Sequence, residues 1–302
     1  MLIWVFVMAS SCRSGGDSMD KPVISVSIIP QQYFIEQLAG ELVEVNVMIP
    51  PGASPATYEP TVSQLGKLDR SIVYFRIGYI GFEQSWMDKI SGINPQMKIV
   101  DLSEGVETIM EGKGGYAEED HGKNSGEDSG ESEGPQSHAH QGADPHIWMS
   151  DVNARIIARN IQKELLVLFP GEQEYLQQRF QDFCLMLDSI HLAITKQLEG
   201  LENRRFMIYH PALTYYARDF GLEQYSLELE GKSPSPAHMR EMIDLSKEQH
   251  ISKILIQNQF DRKNAEVLAR ETGSEIIQFD PLDLHWGEQM RYIAEQLNPS
   301  NQ

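Results

Sequence analysis

The sequence predicts an α/β protein: two similar parallel-sheet α/β lobes joined by one long connecting helix. Three observations carry that prediction. From Pro22 onward, short apolar runs alternate with helical periodicities, the pattern of parallel strands linked by crossover helices. In mid-chain, residues 172–198 hold one unbroken helical period, longer than a single small lobe needs. Finally, Gly52-Ala53-Ser54-Pro55 is echoed by Gly231-Lys232-Ser233-Pro234, each between a strand and a helix. An internal duplication would leave such an echo.

Taken in order, Val23–Ile29 reads as the first strand, Gln32–Leu38 as a helix stopped by Gly40, and Val43–Ile49 as the second strand. A proline loop, residues 50–60, leads into helix Val62–Leu68, and Ile72–Phe75 and Lys98–Leu102 continue the same sheet. Residues 111–142 break the pattern with eight acids, two lysines, eight glycines and three histidines, His121, His138 and His140. With little to bury, that stretch is expected to be a mobile acidic loop, either a solvated linker or a weak collector of cations. Helix Val152–Leu168 follows and is stopped by Pro170-Gly171. The long helix then places Leu176, Phe180, Phe183, Leu187, Ile190, Ile194 and Leu198 three and four residues apart. At 1.5 Å per residue it is roughly 40 Å long, a rigid connector. Strand–helix alternation then restarts: strand Arg205–Tyr209, a helix to Phe220, strand Gln224–Leu229, helix Met239–His250, strand Lys253–Gln257, helix Ala265–Thr272 and strand Glu275–Phe279. The expected division is a leader and tether at 1–21, an N-terminal lobe at 22–170, the connector at 171–200 and a C-terminal lobe at 201–302.

Composition narrows the function. Apolar content of 41% and charged content of 23% are ordinary for a globular protein. The net charge of −19, from 44 acidic and 25 basic residues, argues against a nucleic-acid partner, because phosphates need clustered cations. An acidic surface concentrates cations instead. The uncharged run MLIWVFVMASS ahead of Cys12 reads as a bacterial lipoprotein signal, cleaved before a lipidated Cys12; it is too short to span a membrane. Its missing positive residues would place the true start upstream. Cys184, the other cysteine, reads as a buried free thiol.

Two similar lobes usually hold a ligand in the cleft between them, at the C-terminal ends of the strands. Three residues are placed for this. His146 follows Asp144-Pro145 at the start of an amphipathic helix, while His210 and Asp280 each follow a strand and precede a proline, Pro211 and Pro281. Each sits on backbone stiffened by a neighbouring ring. Two imidazoles and a carboxylate suit Zn2+ or Mn2+, the softer balance favouring zinc.

Four stretches occur in order along the chain: Pro51-Gly52-Ala53-Ser54-Pro55 with Tyr58-Glu59-Pro60, Asp144-Pro145-His146-Ile147-Trp148-Met149-Ser150, Tyr209-His210-Pro211-Ala212 and Phe279-Asp280-Pro281-Leu282. In these the sequence resembles the zinc- or manganese-binding solute-binding proteins of bacterial ABC importers, the ZnuA-like cluster A-I family. The resemblance implies two α/β lobes on one long helix, and capture of a divalent metal in the periplasm for an inner-membrane ABC permease. It also implies a monomeric, non-enzymatic carrier anchored through Cys12, with His146, His210 and Asp280 as second, third and fourth metal ligands.

One position departs from the family. Its first ligand histidine normally follows Ser54-Pro55, where this chain has Ala56. A methyl group donates nothing, so solvent, Glu59 or a loop histidine must complete the site. Glu59 also reads as a cap for helix Val62–Leu68. Two alternatives remain at this stage: an envelope metallohydrolase with a three-ligand zinc site, and a same-fold binder of another solute. No His-Glu-x-x-His pair supports the former.

Overall fold

A computed structural model describes residues 21–110, 142–228 and 231–299. The leader, most of the acidic segment and Leu229-Glu230 lie outside the described residues, so the expectations for Cys12 and for His121, His138 and His140 lie outside them too.

The N-terminal lobe runs β1 (Val23–Val26), α1 (Ile29–Ala39), β2 (Glu44–Val47), α2 (Val62–Leu68), β3 (Ser71–Arg76), α3 (Gly81–Ile93) and β4 (Lys98–Asp101). All pairings are parallel, in the order β2-β1-β3-β4. After α4 (Asp151–Leu168) and α5 (Gln173–Gln197) the second lobe repeats the plan. It runs β5 (Arg205–Ile208), α6 (Thr214–Phe220), β6 (Glu223–Ser226), α7 (Pro236–Glu248), β7 (Lys253–Gln257), α8 (Lys263–Thr272), β8 (Glu275–Phe279) and α9 (Trp286–Leu297). Its order, β6-β5-β7-β8, is the first lobe's order again, as the echoed loops suggest. In each sheet the crevice where strand order reverses opens at the strands' C-terminal ends.

The elements form for local reasons. Thr61 caps α2: its hydroxyl accepts from the Gln64 amide while Gln64 reaches back to the Thr61 amide. The cap is therefore Thr61, and Glu59 is exposed on the loop before it. Ser150 and Ser235 cap α4 and α7 in the same manner, accepting from the amides of Asn153 and His238. Gly40, at φ 55°, closes α1 where Tyr175 crosses it; a Cβ there would stand 2.2 Å from the Tyr175 hydroxyl. Any side chain would have to displace the Tyr175 hydroxyl, and the positive φ itself favours glycine.

α5, at 25 residues about 37 Å long, packs against α1, α4 and α9. One apolar cluster runs through both lobes, from Ile24, Phe34 and Phe75 through Leu187 and Ile190 to Phe206, Trp286 and Met290. A second cluster lies in the C-terminal lobe alone, around Met207, Tyr225, Ile254 and Leu268. Other expectations also need correction. Cys184 is half-buried rather than buried, because it lies beside Phe183, which takes the core-facing position. The first strand ends at Val26 rather than Ile29, since Ile28 caps α1 and Ile29 begins it.

Candidate metal site

His146 lies on the segment between β4 and α4. Its position is fixed by Asp144, whose Oδ1 accepts from the His146 amide at 2.8 Å and contacts Nδ1 at 2.9 Å. The histidine is 8% exposed, with its ring centroid 5.2 Å from that of Trp148. Burial works against an ionised Asp144, but the His146 ring and amide together with the Thr214 hydroxyl outweigh that and hold the carboxyl below its ordinary range.

His210 comes from the other lobe, two residues past β5 and at that sheet's crevice. Gln257 Nε2 donates to its carbonyl at 2.6 Å, the Phe260 ring stacks on it at 5.4 Å, and Glu228 Oε2 meets its Nδ1 at 2.7 Å. Glu228 is 8% exposed and sits just beyond β6. Its amide donates to the Tyr209 carbonyl at 2.8 Å, which extends the β5–β6 ladder and aims the carboxylate at the ring.

The two imidazoles meet across the lobes. His146 Nε2 and His210 Nε2 are 3.3 Å apart. A carboxylate only accepts hydrogen bonds, so Asp144 and Glu228 each place the ring proton on Nδ1. In the neutral rings both Nε2 lone pairs then face one another with no proton between them. That arrangement repels unless a cation lies between the nitrogens. Two nitrogens bound tetrahedrally to zinc at 2.0–2.1 Å are themselves separated by about 3.3–3.4 Å. The donor pair thus has the spacing and the tautomers that a zinc ion requires.

Asp280 follows β8 as expected, at the same edge of the sheet. Burial raises its pKa above the ordinary range; its Oδ1 accepts from the Leu282 amide at 2.9 Å, and Asn258 bonds it as well. Among the described residues no group of three or more His, Cys, Asp and Glu side chains is gathered to hold an ion. The structure therefore brings His146 and His210 together and leaves Asp280 bonded to its own loop and to Asn258. Ala56 is exposed on the loop before α2, its amide bonded to Ser54 Oγ at 3.3 Å.

Sequence reasoning missed the roles of both carboxylates. Asp144 was readable, since an Asp two residues before a histidine on a proline turn can bond that residue's amide and ring. Glu228 had no local signal, being 18 positions from His210 and adjacent only through strand pairing.

Comparison with known proteins gives a consistent picture. Residues 24–298 match the family model described as the periplasmic zinc-uptake complex component A. The high-affinity zinc uptake system protein ZnuA of Bacillus subtilis is 28% identical over 272 residues, covering 88% of this chain and 80% of that protein. The zinc-binding lipoprotein AdcA of Streptococcus pneumoniae is 25% identical over 286 residues, covering 92% of this chain but 53% of its own length. The chain thus spans about half of AdcA. A crystal structure of ZnuA superposes with a TM-score of 0.81 at 31% identity, covering 94% of this chain and 100% of that one.

Proposed function

The chain belongs to the family of periplasmic zinc-uptake component A, and from that premise we propose that it captures a divalent metal in the periplasm and hands it to an ABC permease for import. Zinc is the first cargo by the chemistry of the donors and manganese the second. The observation that carries this reading is the 3.3 Å approach of His146 Nε2 and His210 Nε2, each ring backed by a buried carboxylate. Asp280 is the third ligand, turning from the Leu282 amide towards the ion on binding. The protein acts as a carrier rather than an enzyme. Asp144 and Glu228 are both engaged at Nδ1, so neither carboxylate is free to serve as a general base.

The reading also includes a lipid anchor at Cys12, supported by the apolar run before it, and a monomeric carrier that meets the inner-membrane permease directly. Among the described residues no helix is long and apolar enough to cross a membrane. Elemental analysis of protein purified from its native envelope tests the function. Close to one zinc or manganese per chain is expected. A metal-free protein that takes up neither ion when supplied would contradict it.

A further inference from the structure

His146 belongs to the N-terminal lobe by chain order, yet among the described residues the segment that bears it bonds mainly to the C-terminal lobe. Trp148 Nε1 donates to the Pro281 carbonyl at 2.8 Å, and Trp286 Nε1 donates to the Trp148 carbonyl at the same distance. The Tyr215 hydroxyl donates to the Asp144 carbonyl at 2.9 Å. Ser150 Oγ donates to Asp219, and Arg218 Nη2 reaches Asn153 Oδ1 at 3.4 Å. Towards the N-terminal lobe, the Asp144 amide donates to the Ile109 carbonyl at 2.7 Å. Ile109 in turn gives its own amide to the Tyr215 hydroxyl at 3.2 Å.

Two of these contacts act on the histidine itself. The Trp148 ring centroid lies 5.2 Å from that of His146, so one indole both packs on the imidazole and is pinned to the C-terminal lobe through its N–H. Tyr215 holds the peptide of Asp144, whose carboxylate takes the His146 amide and meets its Nδ1. Both side chains are at most 1% exposed. Packing accounts for the rings, but a phenylalanine would fill that role without a polar atom that must find a partner. What the indole N–H and the phenol add is direction: each fixes the His146 segment against the lobe that carries His210. The gap between the two Nε2 atoms is 3.3 Å, and a ligand set works only when held within about 0.5 Å of its productive geometry.

We propose that Trp148 and Tyr215 are positioning residues of the metal site: they dock the segment bearing His146 onto the C-terminal lobe and so set its Nε2 opposite that of His210. This rests on the metal-capture reading. Both imidazoles are then carried by one lobe, and their spacing does not depend on how the two sheets sit relative to each other.

The test is zinc titration against a competing chelator on Trp148→Phe and Tyr215→Phe, each alone and combined with His146→Ala. Thermal melts of the metal-free proteins check that each variant folds. Each phenylalanine keeps an aromatic ring and removes one donor. Alone, each should weaken zinc about tenfold, the usual cost of losing a group that orients a metal-bound imidazole. Cobalt bound in place of zinc should show shifted visible bands in both. Combined with His146→Ala, each should change the residual affinity by less than about twofold, because no imidazole is left to position. Wild-type affinity in either folded single variant would overturn the proposal. Equal losses with and without His146 would overturn it too, since the two residues would then support the fold in general. If Trp148→Phe does not fold, Tyr215→Phe decides alone. A wild-type chain that binds no zinc would instead sink the metal-capture reading, which keeps the two failures apart.

Discussion

Ala56 stands where the family resemblance implies a first ligand histidine, and its neighbourhood says what a histidine there would do. The Thr57 and Tyr58 amides both donate to the Ser54 carbonyl, at 3.2 and 3.1 Å, so the loop is a preformed turn rather than a loose strap. Its anchor on the first turn of α3, through Phe82 and Gly81, does not involve the Ala56 methyl. Ala56→His should therefore add a donor to an intact frame and tighten zinc by at least tenfold, about 1.4 kcal/mol. Glu59→Gln, on an exposed residue, should change affinity little. Titration of both variants against a competing chelator checks this; the reverse pattern would mean that Glu59 is the missing ligand. At this scale the sequence was informative where chemistry is local. His146, His210 and Asp280 stand out because each is paired with a proline, and Thr61-x-x-Gln64 is a capping signature that should have outranked Glu59. Glu228 was illegible, because its partner is chosen by strand order and not by spacing.

At the scale of elements, the acidic segment enters and leaves the fold at one point. The Asp144 amide donates to the Ile109 carbonyl at 2.7 Å, Met110 bridges antiparallel to Ala143, and the Tyr215 hydroxyl takes the Ile109 amide at 3.2 Å while donating to the Asp144 carbonyl. That closed stem is built from described residues alone. Replacing residues 112–140 with a short glycine linker should leave the melting temperature and the tight zinc equivalent unchanged and remove only weak extra equivalents. Loss of the tight equivalent would make His121, His138 or His140 a true ligand. The elements the sequence reading passed over, α3 and α9, are readable in retrospect. Phe82, Trp86, Ile90 and Ile93 keep a helical spacing, as do Trp286, Met290, Ile293 and Leu297. Strand ends were overrun for a physical reason. An apolar run such as Val23–Ile29 does not distinguish a buried parallel strand from the buried first turn of the helix after it, and here it contains both.

Across the whole molecule, the lobes are tied rather than merely tethered. Besides the common core, Trp148 Nε1 donates to the Pro281 carbonyl and Trp286 Nε1 to the Trp148 carbonyl, each at 2.8 Å, with both indoles at most 1% exposed. The segment carrying His146 is thereby bonded to the loop after Asp280, so local movement of ligand loops is a more economical route to metal exchange than lobe opening. Stability should depend on pH through Glu83, buried behind the N-terminal crevice. Its carboxylate accepts from the Ile77 and Gly78 amides at 2.7 and 2.8 Å and from Ser27, yet burial still raises its pKa to about 7. A carboxyl raised in the folded state binds its proton more tightly there than when unfolded. Its contribution is therefore full below about pH 4.5 and is lost as pH rises through about 7, on the order of 3 kcal/mol across the window. Denaturant melts between pH 4.5 and 8 should show this fall in the wild type and a flatter profile in Glu83→Gln; parallel profiles would remove Glu83 as the cause. Fold class, duplication and connector were legible in the sequence because each rests on periodicity repeated over many residues. The common core was not, since nothing in a local pattern reveals which lobe a buried face will meet.

The central claim is that one ion is held between an imidazole from each lobe, and zinc titration against a competing chelator on wild type, His146→Ala and His210→Ala tests it most directly. The geometry predicts one tight zinc per wild-type chain and at least a hundredfold weaker binding in each alanine variant, since one imidazole alone has no partner across the cleft. Wild-type affinity in either variant would contradict it.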